Sequence, residues 1–219
     1  MNAGVIAKID GSLKGLSSSQ FDDDQNSVID VRRFTQTAAG NRVVVGAAAR
    51  ERSLQDTGYT ISGTEIEAVS DEGTTIQYTE FLAVPGEFVV VSSGDGAFAF
   101  DLIGQVGGTD IERATIDLDR YIGSVESAEA WKVGFYDHDG QADNGVVYGA
   151  DVLGDEEFGD VGDRAKLNQL GVTYESQSGE TVKLDIAESG YLNVYAPDFD
   201  SLEFADFIAG SISPFIGPA

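Results

Sequence analysis

Cysteine is absent from the 219 residues, so no disulfide framework, thiolate metal site or cysteine nucleophile is available. Basic residues are scarce: 13 Lys and Arg stand against 38 Asp and Glu, a formal net charge of −25. Lysine occurs only at Lys8, Lys14, Lys132, Lys166 and Lys183. Such a field repels nucleic acid at long range. No stretch approaches the roughly 18 apolar residues that a membrane span needs, and MNAGVIAKIDG has no basic segment leading into a long apolar run. A soluble cytoplasmic protein is expected.

What is present is acid spread through every segment, Asp exceeding Glu, and 42% hydrophobic residues, enough to build a core. The acid admits two explanations, a surface specialised for a basic partner or adaptation to high salt. Its even spread favours the second. In molar salt the Debye length falls to about 3 Å, and net charge then says little about partners.

Most of the chain has the period-two pattern of strands bounded by Gly, Asn and Asp. Strands are expected at 4–10, 27–34, 41–51, 74–83, 87–93, 113–118, 130–138, 144–152, 171–176, 180–188 and 191–196. Short helices are expected at SLKGLSSS (12–19), LDRYIGSVESA (118–128) and LEFADFIAGSI (202–212), with AFAFDLIG (97–104) undecided. The fold class is α+β, with antiparallel sheets dominant. NRVVVGA (41–47) matches NGVVYGA (144–150) at a displacement of 144 − 41 = 103, and at the same displacement Phe88 meets Tyr191 after a glycine turn. Two related units follow, residues 1–108 with a linker and 109–200, plus a tail at 201–219. Chance likeness between two β meanders is the other explanation.

Catalytic motifs are lacking. His138, in YDHDGQADNG (136–145), reads as an exposed residue at a hairpin tip, without the buried nucleophile a Ser-His-Asp site requires. Asp137, Asp139 and Asp143 invite a calcium loop, but its twelfth position, which needs a bidentate Glu, is Tyr148. SGDGAF (93–98) lacks the Lys-Ser/Thr of a phosphate loop. No catalytic residue, metal or cofactor is expected.

VKLDIAESGYLNVYAPDFD (182–200) resembles the closing strands of proliferating cell nuclear antigen, the archaeal and eukaryotic sliding clamp. Ile186, Ala187, Glu188, Gly190, Leu192, Tyr195, Ala196 and Pro197 carry the likeness. IDGSLKGL (9–16), AAGNRVVVGAAARERSLQDTGY (38–59) and ATIDLDRYIGSVESAEAWKVGF (114–135) fall in family order. The second helix of each clamp domain has no good counterpart in 61–73 or 158–171, so the chain resembles a divergent, shortened clamp of a salt-adapted archaeon or its virus.

The resemblance implies a non-catalytic platform for replication or repair proteins, as a trimeric ring round duplex DNA or as a monomer. Lys14, Arg120, Arg164 and Lys166 would face phosphate. Val43, Val45, Tyr195, Ala196 and Pro197 would form the wall receiving partner peptides. Phe204, Phe207 and Ile208, at i, i+3 and i+4, would form the docking face of a tail helix. The rival reading is a structural or assembly β protein, such as a virion component of a halophilic system. A third is an enzyme with an acidic metal site at Asp137 and Asp139.

Overall fold

The computed structural model describes residues 1–21, 26–62, 64–139, 141, 143–176 and 178–217, with the backbone course alone for 54–62 and 66–72. Twelve strands of the described residues form one antiparallel sheet. In chain order they are β1 (Ala3–Asp10), β2 (Ser19–Phe21), β3 (Ser27–Gln36), β4 (Arg42–Ser62), β5 (Glu65–Val84), β6 (Phe88–Val91) and β7 (Asp110–Arg113). After β8 (Thr115–Ile116), which lies outside this sheet, come β9 (Glu129–Tyr136), β10 (Gly145–Tyr148), β11 (Lys166–Glu175), β12 (Thr181–Ala187) and β13 (Tyr191–Ala196). Across the sheet the order is β10-β9-β11-β12-β13-β1-β6-β5-β4-β3-β2, with β7 also on β1. A two-residue strand, β14 (Ile216–Gly217), pairs with β8. The helices are α1 (Phe98–Gly107), α2 (Leu118–Ser124), the single turn α3 (Val161–Arg164) and α4 (Ser201–Phe207), continued by a π-helical turn over Ile208–Ile212. No helix among the described residues is long and apolar enough to cross a membrane.

β1 is the centre of this arrangement. It pairs with β6 on one side and with both β13 and β7 on the other. Outward from β1, the first half runs β6, β5, β4, β3, β2 and the second runs β13, β12, β11, β9, β10. Each half then closes in the same way: β6 leads through α1 to β7 beside β1, and β13 leads through α4 to β14 beside β8. The spacing agrees, since β6 and β13 start 191 − 88 = 103 residues apart and α1 and α4 start 201 − 98 = 103 apart. The repeat is therefore one of element order, and the tail helix is the second unit's counterpart of α1. β7, the strand after α1, ends at Arg113.

One part of the sequence repeat has a different origin. Residues 42–47 lie in β4, an interior strand third from β1, whereas 145–148 form β10, the sheet edge and fifth from β1. Their likeness reflects common strand composition. The Phe88–Tyr191 match does join strands of equal rank.

Two cores explain why the central strands are apolar without alternation. On one face α1 buries Phe98, Phe100, Leu102 and Ile103 against Val5, Ala7, Val44, Phe81, Val89 and Val91. On the other, α2 and the α4 segment bury Leu118, Tyr121, Phe204, Ala205, Ile208 and Ile212 against Ile6, Val43, Leu82, Val90 and the inward residues of β9 and β11–β13. β6 thus lies between both layers, and all four of its residues are buried. Fully burying side chains of this size contributes about 1.5–3 kcal/mol each before conformational entropy is offset.

Several expectations change. Residues 12–19 form no helix: Gly15 sits at φ 67°, Leu16 is buried, Ser19 Oγ donates to the Ser17 carbonyl and Val31 N–H donates to Ser18 Oγ. Three serines offering local hydrogen bonds, and a left-handed glycine, compete with the helical ladder. The 97–104 segment is helical. The 41–51 and 74–83 strands extend into a hairpin of 21 and 20 residues, Arg42–Ser62 with Glu65–Val84. The 113–118 strand divides at Ala114, and 118–128 is helical only to Ser124.

Candidate functional site

The expected peptide wall is not brought together. Val43 and Val45 lie on β4, and Tyr195 and Ala196 on β13; β1, β6 and β5 intervene. Four strand spacings of about 4.8 Å separate them by roughly 19 Å. Val43 is also 1% exposed, within the core that α4 covers. Asp206 of α4 fastens this cover, accepting from Ala39 N–H at 3.0 Å and Asn41 Nδ2 at 2.8 Å. Val43 and Val45 therefore belong to packing.

The tail face has the same character. Phe204 and Ile208 are fully buried in that core, while Phe207 is half-buried at its margin with its ring 5.3 Å from Phe199. The helix is well started: Asp200 accepts from Leu202 and Glu203 N–H, and the Glu203 carboxylate accepts from Asp200 N–H, a complete capping box. Those N–H groups hold the Asp200 carboxyl below the usual carboxylate range. The tail is docked on its own chain.

At the other end of the expected wall, Tyr195 remains 51% exposed. Alternation puts Leu192 and Val194 into the core and turns Tyr195 to the uncovered face. There its ring stands edge-on to Trp131, centroids 6.2 Å apart, and Lys183 Nζ lies 5.5 Å from the Trp131 ring. Trp131 lies across Gly171, where any Cβ would meet the indole at 2.5 Å. Its Nε1 is buried without a hydrogen-bond acceptor among the described residues. Beside it, Lys132 donates to both oxygens of Asp185 at 3.1 and 2.8 Å, each side chain only 13% and 15% exposed. Trp131 and Lys183, which join Tyr195 in a patch next to the Ala196–Pro197 exit, are the residues that sequence reasoning missed. Trp131, the one tryptophan of the chain, was the signal available.

The four expected phosphate-facing cations divide. Lys14 is exposed, on a loop instead of a helix, with its N–H donating to the Gly107 carbonyl. Arg164 bridges Asp139 and Asp160 at 2.8 and 3.0 Å, and Lys166 reaches Asp137 at 3.3 Å. Arg120 lies 4.0 Å from Asp117 and over the Phe215 ring at 5.6 Å. Arg120 and Lys166 meet in a cleft of about 270 Å³, between the start of α2, the β8–β14 ribbon and the ends of β9 and β11. Asp117, Asp119 and Glu188 line the same cleft, and Tyr136 donates to Glu188 at 3.1 Å. Burial first, then the charges of Asp117 and Glu188, raise the Asp119 carboxyl above its ordinary value. A phosphate entering here would face three carboxylates. Duplex DNA has no cationic track in these four residues.

His138 is less open than expected: its side chain is 15% exposed, its ring 5.7 Å from Phe135, with Nε2 4.0 Å from Asp139. Asp137 and Asp139 turn to Lys166 and Arg164 instead of converging, and no group of three or more His, Asp or Glu among the described residues is placed to hold a metal ion. Neither a protein-family model nor a curated protein matches the chain.

Proposed function

We propose that the chain is a clamp-like, non-catalytic platform that docks proteins of replication or repair in the cytoplasm of a salt-adapted cell. The observation that supports this reading is one continuous antiparallel sheet whose strands run outward from β1 in matching order on both sides, with a helix after β6 and another after β13. The clamp-like hairpin of 182–197 is β12–β13 within it, next to the seam with β1. Docking rests on the accessible end of the wall, the exposed Tyr195 and half-buried Pro197, enlarged by Trp131 and Lys183. An aromatic pair with one cation suits a peptide turn bearing aromatic side chains. The reading stops at protein docking, since the cations expected to hold DNA are largely committed to carboxylates.

A labelled clamp-binding peptide with paired aromatics, titrated by anisotropy in molar KCl, tests it. Saturable binding that weakens about tenfold in Tyr195→Ala, and is unchanged in Val28→Thr on the far half of the sheet, is expected. Absence of binding, together with salt-stable polymers by light scattering, would instead favour an assembly protein.

A further inference from the structure

β10 ends the sheet. It pairs with β9 alone, from Gly145↔Phe135 to Tyr148↔Lys132, so its other side carries backbone N–H and C=O groups outside the ladder. Natural edge strands are commonly blunted by brevity, lysine, proline or a bulge; β10 is short, at four residues. The segment 144–149 contains neither residue, and the β9–β10 register runs without a shift. Val146 and Tyr148, alternate residues on one face, are 45% and 67% exposed, and Phe158 nearby in sequence is 48% exposed. The edge is open and apolar.

Net charge says little in molar salt, but acids at the ends of the strand act at contact distance, within the screening length of about 3 Å, and indicate what fits it. Between 137 and 163 the chain has nine Asp or Glu and no Lys or Arg. Asp143 is exposed just before the strand, and Asp155, Glu156 and Glu157 are exposed after it. The cations near it are spent on other acids: Lys132, cross-strand from Tyr148, on Asp185, and Arg164 and Lys166 on Asp137, Asp139 and Asp160.

We propose that β10 is a strand acceptor for an extended segment of a partner protein, apolar at alternate positions and carrying Lys or Arg at both ends. The segment continues the ladder along β10, sets its apolar side chains on Val146 and Tyr148, and places its cations against Asp143 at one end and Asp155–Glu157 at the other. A second copy of this chain fits poorly. Two β10 edges paired antiparallel would set Asp143 of one against the acids that follow the strand in the other, and β2, at the opposite edge, runs in sequence into Asp22-Asp23-Asp24. Like charges across a ladder are destabilising. The inference does not depend on the clamp reading.

The probe is a fluorescein-labelled peptide with three valines alternating with threonine between Lys-Arg flanks, titrated into the full chain. A scramble with contiguous valines and a version with Glu flanks are the comparisons. Expected are saturable binding of the first peptide, binding at least about tenfold weaker for the other two, and weakening as salt rises from about 0.1 M to 1 M. The bound peptide slows hydrogen exchange at the amides of Gly145–Tyr148. The double variant Val146→Lys with Tyr148→Lys, altering exposed side chains, keeps its melting temperature and loses about tenfold in affinity. The exchange footprint on the unaltered chain tests the proposal without any variant. Failure of the first peptide to bind, equal binding of the scramble, or no slowing at β10 overturns it. So does self-association of the chain that the double variant abolishes, which would make the occupant a second copy.

Discussion

Replacing Phe204 by alanine tests whether α4 is a built-in helix or a detachable tail. Phe204 is fully buried among residues from both halves of the chain. Phe→Ala in such a site costs about 3–5 kcal/mol, as lost transfer energy plus the cavity left behind. Against a net stability of roughly 5–15 kcal/mol this is a large share. With a urea slope of about 1–3 kcal/mol/M the midpoint should fall by roughly 1–5 M, read by circular dichroism at fixed salt. Phe207→Ala is the control: half-buried, with Phe199 as its ring partner, it should cost about 1 kcal/mol. Ile103→Ala in α1, the equivalent helix, should lose about 2–5 kcal/mol. A Phe204→Ala protein within about 0.5 kcal/mol of the parent would refute the packing argument and restore the tail to the status of a loose peptide.

Lys132→Ala strands the largely buried Asp185 carboxylate and should cost about 2–4 kcal/mol, somewhat below the fully buried range because both groups keep some water. A Lys132→Met, Asp185→Leu double variant should recover most of that loss in the same melt. Gly171→Ala drives a methyl into the Trp131 indole; a loss of about 1–3 kcal/mol and a shift in the single tryptophan's emission are expected. On the acid side, Asp200 has a depressed folded value, so its contribution is complete above about pH 4 and disappears as pH falls through the folded value; Asp200→Asn should flatten that limb of a pH-stability curve. On the alkaline side, burial and Tyr174 raise the Tyr121 hydroxyl, so its contribution is intact below about pH 10 and is lost as pH climbs beyond; Tyr121→Phe should remove that loss.

The β13 strand was legible to the residue, because alternation over 191–196 is bounded by Gly190 at φ 84° and by Pro197. β1 was legible for the same reason, although its apolar run hides which face is which. α1 was undecided because both its length and its apolar content suit a buried strand. The false helix at 12–19 came from Leu13 and Leu16 at i, i+3, a spacing outweighed by Gly15 and the serines. The outer reaches of β4 and β5 carry charges that look like loop, and their pairing with one another decides the matter. The peptide wall failed for a non-local reason: no sequence spacing records that three strands separate Val45 from Tyr195. The pairing of Arg164 with Asp139 and of Lys166 with Asp137 was equally hidden, since these partners lie 25 and 29 residues away; only Asp160, four residues before Arg164, was within local reach.

β1 (Ala3–Asp10) is translated well before its neighbours, β6 from Phe88, β7 from Asp110 and β13 from Tyr191. On the flank away from β6, β7 covers Ala7–Asp10 first, and Ala3–Val5 stay without a partner until β13 has been made. Nascent chains build N-terminal domains first where they can, but here β1 is completed by β13, which starts 191 − 3 = 188 residues later. Closing so long a loop is slow, and any premature stop before β13 releases a product with an uncovered hydrophobic seam. Quality control should therefore recognise truncated forms of this chain far more readily than point variants.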